Sequence, residues 1–389
     1  MPDDNFYRIL EPRKSSGAID VSRIVENALR NPIGGLALKE MVKPGAKAAI
    51  IVDPLVPHEA WREAATALTA ELSTVGIEKT QVFLRKRMNS NESAGDSVNH
   101  LDPAQNSFTE IGKTAMGTVV DLDPEVLSCE VKILVSLTMP HFASGFTGGP
   151  EAVIPSCSSI RSIAKNRSLL SKGFTEPLNT SSNQVLSDCL DAYKLAGPFY
   201  SLTFLPDGWG SVEEAFAGDL EEVFMRAVSR YTELHCPRIE RKLDIVVVSA
   251  GNYFGTDLYH AVRIVANVSG ALRKEGTIIL VAECSRGIGD QTFLDYARNF
   301  RERKELSAEL RYRFKLGGHV NLFLKETLER SRIQLVSVLP ELFVRDAFDL
   351  KPSQTASEAI QKAIRLEGKE SKILVVPKGD ITVPVMESS

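Results

Sequence analysis

The stretch VKILVSLTMPHFASGFTGG, residues 131–149, decides the fold. Its opening run of Val, Ile and Leu is what a strand buried on both faces looks like, as in a parallel sheet. The run stops at a proline, a lone His141 and a loop with glycines at 145, 148 and 149; Glu151 and Pro155 follow. A buried strand that empties into a glycine-rich loop resembles the carboxyl edge of an open α/β sheet, and such edges are where ligands bind.

Similar runs lie on either side. Upstream, residues 47–53 (KAAIIVD) and 80–84 (TQVFL) read as strands. Between them residues 58–76 have helical period and close on Gly76. Beyond about residue 165 the pattern loosens into a polar region, KGFTEPLNTSSNQ, and then into helices through EEVFMRAVSRYTEL. A second strand-rich block begins at KLDIVVVSAG and continues through GTIILVAE, RIQLVSVLP and SKILVVPKG. This alternation predicts an α/β protein: two α/β domains with largely parallel sheets, residues 1–240 and 241–389. A chain of 389 residues suits two domains at roughly 100–200 residues each.

Composition narrows the function classes. Charged residues make up 25% of the chain and hydrophobic ones 43%, ordinary for a globular protein. A formal net charge of −4 gives no electrostatic footprint for nucleic acid. No apolar run approaches the roughly 20 residues that span a bilayer, and the first residues lack the layout of a secretory signal. Five cysteines without a CxxC pair suggest neither a disulfide framework nor a zinc site. A cytoplasmic protein that takes a small molecule is expected, without nucleic-acid or membrane partners.

The ends of the expected strands supply the candidates for chemistry. They are Asp53, Arg85, Lys86 and His141 in the first domain, and Gly251 to Tyr259, Ser285 to Asp290 and Glu341 in the second. Asp and Gly are also simply common after strands. His141 has the residue type that moves a proton near neutral pH. The close-set glycines beside it allow backbone N–H groups to line up on an anion. The loop is not a Walker loop, since no Gly-Lys-Ser/Thr follows, and no GxGxxG occurs.

Taken together, these segments resemble the nickel-pincer-nucleotide lactate racemases, the LarA type. The family loop runs roughly His-x-x-x-Gly-Phe-Ser-Gly-Gly-x-Lys-x-x-x-Pro-Gly. Here the matching positions are His141, Gly145, Phe146, Thr147, Gly148, Gly149, Glu151 and Pro155. In the second block GNYFGTDLYHAVR, GTIILVAECSRGIGDQTF, KLGGHVNLFLKETLERSRIQLVSVLPE and KILVVPKGDITVPV follow the family in order and spacing. The resemblance implies a racemase or epimerase acting on a 2-hydroxy acid or sugar acid, with its active site in an inter-domain cleft between two α/β domains. In the family a nickel-pincer nucleotide takes a hydride from the hydroxyl-bearing carbon while a histidine takes the hydroxyl proton.

Several family residues are replaced. Glu151 stands where a lysine carries the cofactor covalently, and Arg167 where a histidine binds nickel. The first loop, Asp53 to Pro57, lacks the family's substrate arginine. The second catalytic histidine falls at Lys86, and a substrate-side glutamine and lysine fall at His260 and Arg263. The resemblance therefore implies His141, Lys86 and Asp53 as catalytic and His260, Arg263 and Arg85 as substrate-binding. Gly145, Thr147, Gly148, Gly149, Glu151 and Arg167 would line the cofactor, with no protein metal ligand. A pincer nucleotide would be held noncovalently and an anionic substrate taken. A nickel-independent enzyme using His141 and Lys86 as acid and base is the alternative, as is a binding protein for a small anion or nucleotide.

Overall fold

The computed structural model describes residues 3–12, 20–35, 37–85, 99–105, 107–176 and 178–387. They form two α/β lobes, each built on a six-stranded sheet. In the first, Val131–Leu137 lies between Ala48–Val52 and Tyr200–Pro206, parallel to both, with Ile50 opposite Ile133 and Ser201 opposite Leu134. Every residue of Ala48–Val52 and Tyr200–Pro206 is buried. Strands covered on both faces read as continuous rather than alternating apolar runs. Thr80–Arg85 and Asn99–Leu101 extend the sheet in parallel, and Val212–Asp219 closes its other edge antiparallel.

The second sheet is parallel throughout, in the order Phe6–Ile9, Ile373–Val376, Leu243–Ser249, Leu272–Val281, Arg332–Val336, Lys351–Ser353. The expected fold class is the observed one.

Two features depart from the sequence reading. Tyr200–Pro206 and Val212–Asp219 lie in a stretch read as a polar region passing into helices. Ser201, Thr203 and Pro206 break up the apolar run, yet the strand is buried; the Thr203 hydroxyl finds partners, while those of Tyr200 and Ser201 find none among the described residues. Thr203 Oγ1 lies 2.9 Å from Ser136 Oγ and 3.0 Å from Thr138 Oγ1.

The chain also crosses the expected boundary near residue 240 at both ends. Phe6–Ile9 pairs with Ile373–Val376 of the second sheet, covering an edge that would otherwise present unpaired backbone groups. Ile381 and Val383 pack in the core of the first lobe, and the Tyr231 hydroxyl donates to the Ile381 carbonyl. At the seam, Phe142, Ala143, Leu169 and Leu170 share one apolar core with Tyr259, Val262 and Phe323.

Candidate active site

The loop after Val131–Leu137 is folded tightly on itself. Pro140–His141 pairs antiparallel with Gly145–Phe146. Gly145 has φ +83°, and a β-carbon there would sit 2.7 Å from the Asn179 carbonyl oxygen. Gly149 has φ +50°, and a β-carbon there would sit 2.4 Å from the Phe224 ring. Neither position admits a side chain without strain. The Thr147 hydroxyl donates to the Leu137 carbonyl at 2.6 Å and accepts the Met139 N–H at 3.0 Å. Thr147 N–H donates to the Met139 carbonyl, and Glu151 N–H to that of Gly148. These residues, expected to line a cofactor, thus build the loop.

What the loop holds up is a buried polar chain. His141 Nδ1 lies 2.6 Å from Ser144 Oγ, which lies 3.0 Å from Glu151 Oε1. Arg167 Nη2 donates to the same Oε1 at 2.7 Å. Ser144 is fully buried and Glu151 and Arg167 nearly so, whereas the His141 side chain keeps 18% exposure. Behind them Arg167 Nη1 donates to Asn166 Oδ1 at 2.6 Å, and Asn166 Nδ2 donates to Asp188 Oδ2 at 2.8 Å.

Burial pushes the Glu151 carboxyl up while Arg167 pulls it back down. Burial works against the Arg167 charge, yet Glu151 holds the guanidinium above its ordinary value. Burial likewise lifts the neighbouring Cys189 thiol to about 12, so it stays protonated.

The second lobe meets this chain through an aromatic bridge. Phe142 packs edge-on to His141 at 5.4 Å. The Arg263 guanidinium lies 5.5 Å from the Phe142 ring and 4.2 Å from the Tyr259 ring. His319 stacks on Phe142 at 5.8 Å; burial and the charges of Arg263 and Arg167 push its imidazole well below its ordinary value. Next along the same segment, His260 Nδ1 meets both carboxylate oxygens of Asp257, at 2.7 and 2.8 Å. Burial opposes the Asp257 charge, but His260 holds its carboxyl below the ordinary range.

Of the expected site residues, His141, Glu151, Arg167, Arg263 and His260 fall along this one seam. Asp53 is buried at the end of Ala48–Val52, where its Oδ1 caps the following turn by accepting the Leu55 N–H at 2.8 Å. Its charge reaches Glu151, raising that carboxyl further. Arg85 ends the neighbouring strand, but its side chain and the whole of Lys86 lie outside the described residues.

Sequence reasoning missed Ser144 and His319, and named Asp257 only as part of the Gly251 to Tyr259 span. The signal that singles Asp257 out of that span is its spacing, since an Asp three residues before a His caps the helix that the His enters. Asp380 was missed as well. It lines a cavity of about 40 Å³ with Met139, Trp209 and Lys378, and its Oδ1 has no hydrogen-bond partner among the described residues. Burial pushes its carboxyl up to about 6.

Comparison with known proteins places the fold. Residues 1–174 match the lactate racemase N-terminal domain, and residues 239–385 the lactate racemase C-terminal domain. The chain belongs to the lactate racemase family. The lactate racemase of Thermoanaerobacterium thermosaccharolyticum is 23% identical, over 100% of this chain and 96% of its own. That of Lactiplantibacillus plantarum is also 23% identical, over 91% and 89%. The lactate racemase apoprotein structure from T. thermosaccharolyticum superposes with a TM-score of 0.85 at 21% identity, covering 99% of this chain and 96% of that one. A protein from Thermotoga maritima superposes with a TM-score of 0.69 at 14% identity, covering 95% and 99%.

The family's covalent pincer cofactor does not fit the residues present. A thioamide needs an amine, and position 151 offers a carboxylate already ion-paired to Arg167. That guanidinium, standing where the resemblance implies a nickel ligand, has no lone pair to give. Among the described residues no group of three or more His, Cys, Asp or Glu is placed to hold a metal ion. None of their helices is long and apolar enough to cross a membrane.

Proposed function

We propose that this protein is an isomerase, a racemase or epimerase acting on a small 2-hydroxy acid or sugar acid in the cleft between its lobes. One observation carries the reading: Arg263 of the second lobe sits against Phe142, the residue next to His141 of the first. A cation and an imidazole on facing walls suit a substrate with a carboxylate and a hydroxyl on adjacent carbons. Arg263 makes no ion pair among the described residues, and its charge, which adds to burial in depressing His319, favours an anion. His141 is assigned the hydroxyl proton, Arg263 the carboxylate, and Asp257 the orientation of His260.

A pincer nucleotide, if taken up, would have to be held without a covalent bond. The Glu151–Arg167 pair favours a second reading, inversion by proton transfer alone. In it two acid–base groups face the stereocentre, and Arg263 stabilises charge developing on the carboxylate. Five free cysteines, all buried, fit a reducing compartment, and we place the protein in the cytoplasm.

The test is incubation of the purified protein with single enantiomers of lactate and longer 2-hydroxy acids in D2O, followed by chiral chromatography and mass spectrometry. Inversion with deuterium at the stereocentre supports proton transfer, and inversion without it supports internal return of hydrogen. His141→Asn should lower turnover by at least about 100-fold, the usual contribution of a general acid–base group. The absence of both inversion and binding for every such acid would sink the proposal. The intact mass should equal the sequence mass, and an adduct on a lysine of the 139–167 segment would overturn the noncovalent assignment.

A further inference from the structure

We propose that Glu151, with Arg167 behind it, is a positioning residue for His141 and acts through Ser144. The position that carries the cofactor in relatives would then serve proton transfer here. The inference rests on His141 being the proton-handling group assigned above.

The geometry is that of a carboxylate–hydroxyl–imidazole relay. Ser144 Oγ lies within hydrogen-bond distance of His141 Nδ1, Glu151 Oε1 and the Phe146 carbonyl, at 2.6, 3.0 and 3.0 Å. A serine has a single hydroxyl proton. When that proton goes to the carboxylate, Oγ is left to accept from His141, and the imidazole carries its proton on Nδ1. Nε2 is then the nitrogen that exchanges a proton with the substrate, and the imidazolium formed is stabilised by Glu151, whose Oε1 lies 3.7 Å from Nδ1. The carboxylate of a catalytic triad does the same for its histidine directly. A competing contact, Ser144 N–H to His141 Nδ1 at 3.3 Å, would favour the other tautomer, but it is the longer of the two. Burial raises the Glu151 carboxyl, and Arg167, donating to Oε1 at 2.7 Å, opposes that rise and favours the charged form.

Other charged groups around the ring act on it too. Asp53 reaches Glu151, Arg263 lies across Phe142, and His319 stacks on the far side of Phe142. Asp188 and Cys189 touch the pair only through Asn166 and Arg167. Ser144→Ala cuts the relay and takes one hydrogen bond from Glu151, but leaves its ion pair with Arg167 in place.

The experiment is a nitrogen-15 NMR titration of histidine-labelled protein. The chain has six histidines, and His141→Asn assigns the resonance. In the wild type His141 should titrate as the Nδ1–H tautomer. In Ser144→Ala, and in Glu151→Gln paired with Arg167→Met to avoid an uncompensated charge, its pKa should fall by about one unit, a tenfold loss of proton affinity. The tautomer should shift toward Nε2–H. Glu151→Asp, which keeps the charge, should recover part of the shift. An unchanged tautomer and titration in both Ser144→Ala and the double variant would overturn the proposal. The measurement needs no substrate. If the relay is confirmed but His141→Asn leaves turnover intact, it is the functional assignment of His141 that fails.

Discussion

Arg167 is buried against Glu151, and neither charge stands well alone. Glu151→Gln would leave a guanidinium in the interior with the neutral Asn166 and Cys189 beside it. Breaking one side of a buried pair costs about 3–5 kcal/mol, whereas removing both charges is often nearly neutral. Urea denaturation should therefore show Glu151→Gln strongly destabilised, with much of the loss recovered on adding Arg167→Met. Equal losses in both variants would mean that the pair is solvated rather than sealed. Asp380 runs the other way. Its carboxyl is raised from 3.8 to about 6, so the folded state binds this proton more tightly than the unfolded chain does. The stability it lends is full below the unfolded value and is lost as pH rises through 6. Asp380→Asn should thus be the more stable protein at pH 8, by up to about 3 kcal/mol, and little changed at pH 4. A loss of stability at pH 8 would show that the carboxylate has a partner. At this scale His141 and Arg263 were legible because strand ends and family spacing mark them. Ser144, a small residue in a loop of small residues, was not. Its importance lies in two distances that no pattern encodes.

At the scale of elements, the glycine loop is a packed support rather than an open cradle. Gly149→Ala would drive a methyl group into the Phe224 ring and place a side chain at positive φ. Overpacking and backbone strain together amount to about 2–4 kcal/mol, and the melting temperature should fall accordingly. An unchanged melting temperature would mean that the helix bearing Phe224 yields easily. The strands of both sheets that read as Val- and Ile-rich runs were legible, since burial on both faces writes itself into composition. Tyr200–Pro206 was hidden because Ser201, Thr203 and Pro206 interrupt its apolar run, the Thr203 hydroxyl being paired with Ser136 and Thr138, across the neighbouring strand and just past its end. Phe6–Ile9 was hidden because four residues, three of them exposed, carry no readable period.

At the scale of the molecule, the lobes are laced together at both ends of the described chain. A fragment ending at residue 240 lacks Ile381 and Val383 from its core, and its Phe6–Ile9 segment has no strand to join. Such a fragment should be molten or insoluble alone and recover native circular dichroism when co-expressed with residues 241–389. A well-folded 1–240 fragment would show that the lacing is dispensable. For the whole protein, unfolding followed by near- and far-ultraviolet circular dichroism should give one coincident transition.

The same lacing bears on how the protein is made. The Asn5 side chain donates to the carbonyl of Ser371, 366 residues later in the chain. At the usual pace of translation that interval is roughly 20 to 70 seconds. For that time the N-terminal segment has left the ribosome but its partner strand does not yet exist. Phe6 and Ile9, each more than two-fifths exposed even in the finished sheet, wait in water beside a second lobe still being synthesised. Closure of the second sheet thus waits on Ile373–Val376, and the nascent chain is a natural client for a holdase until that strand emerges.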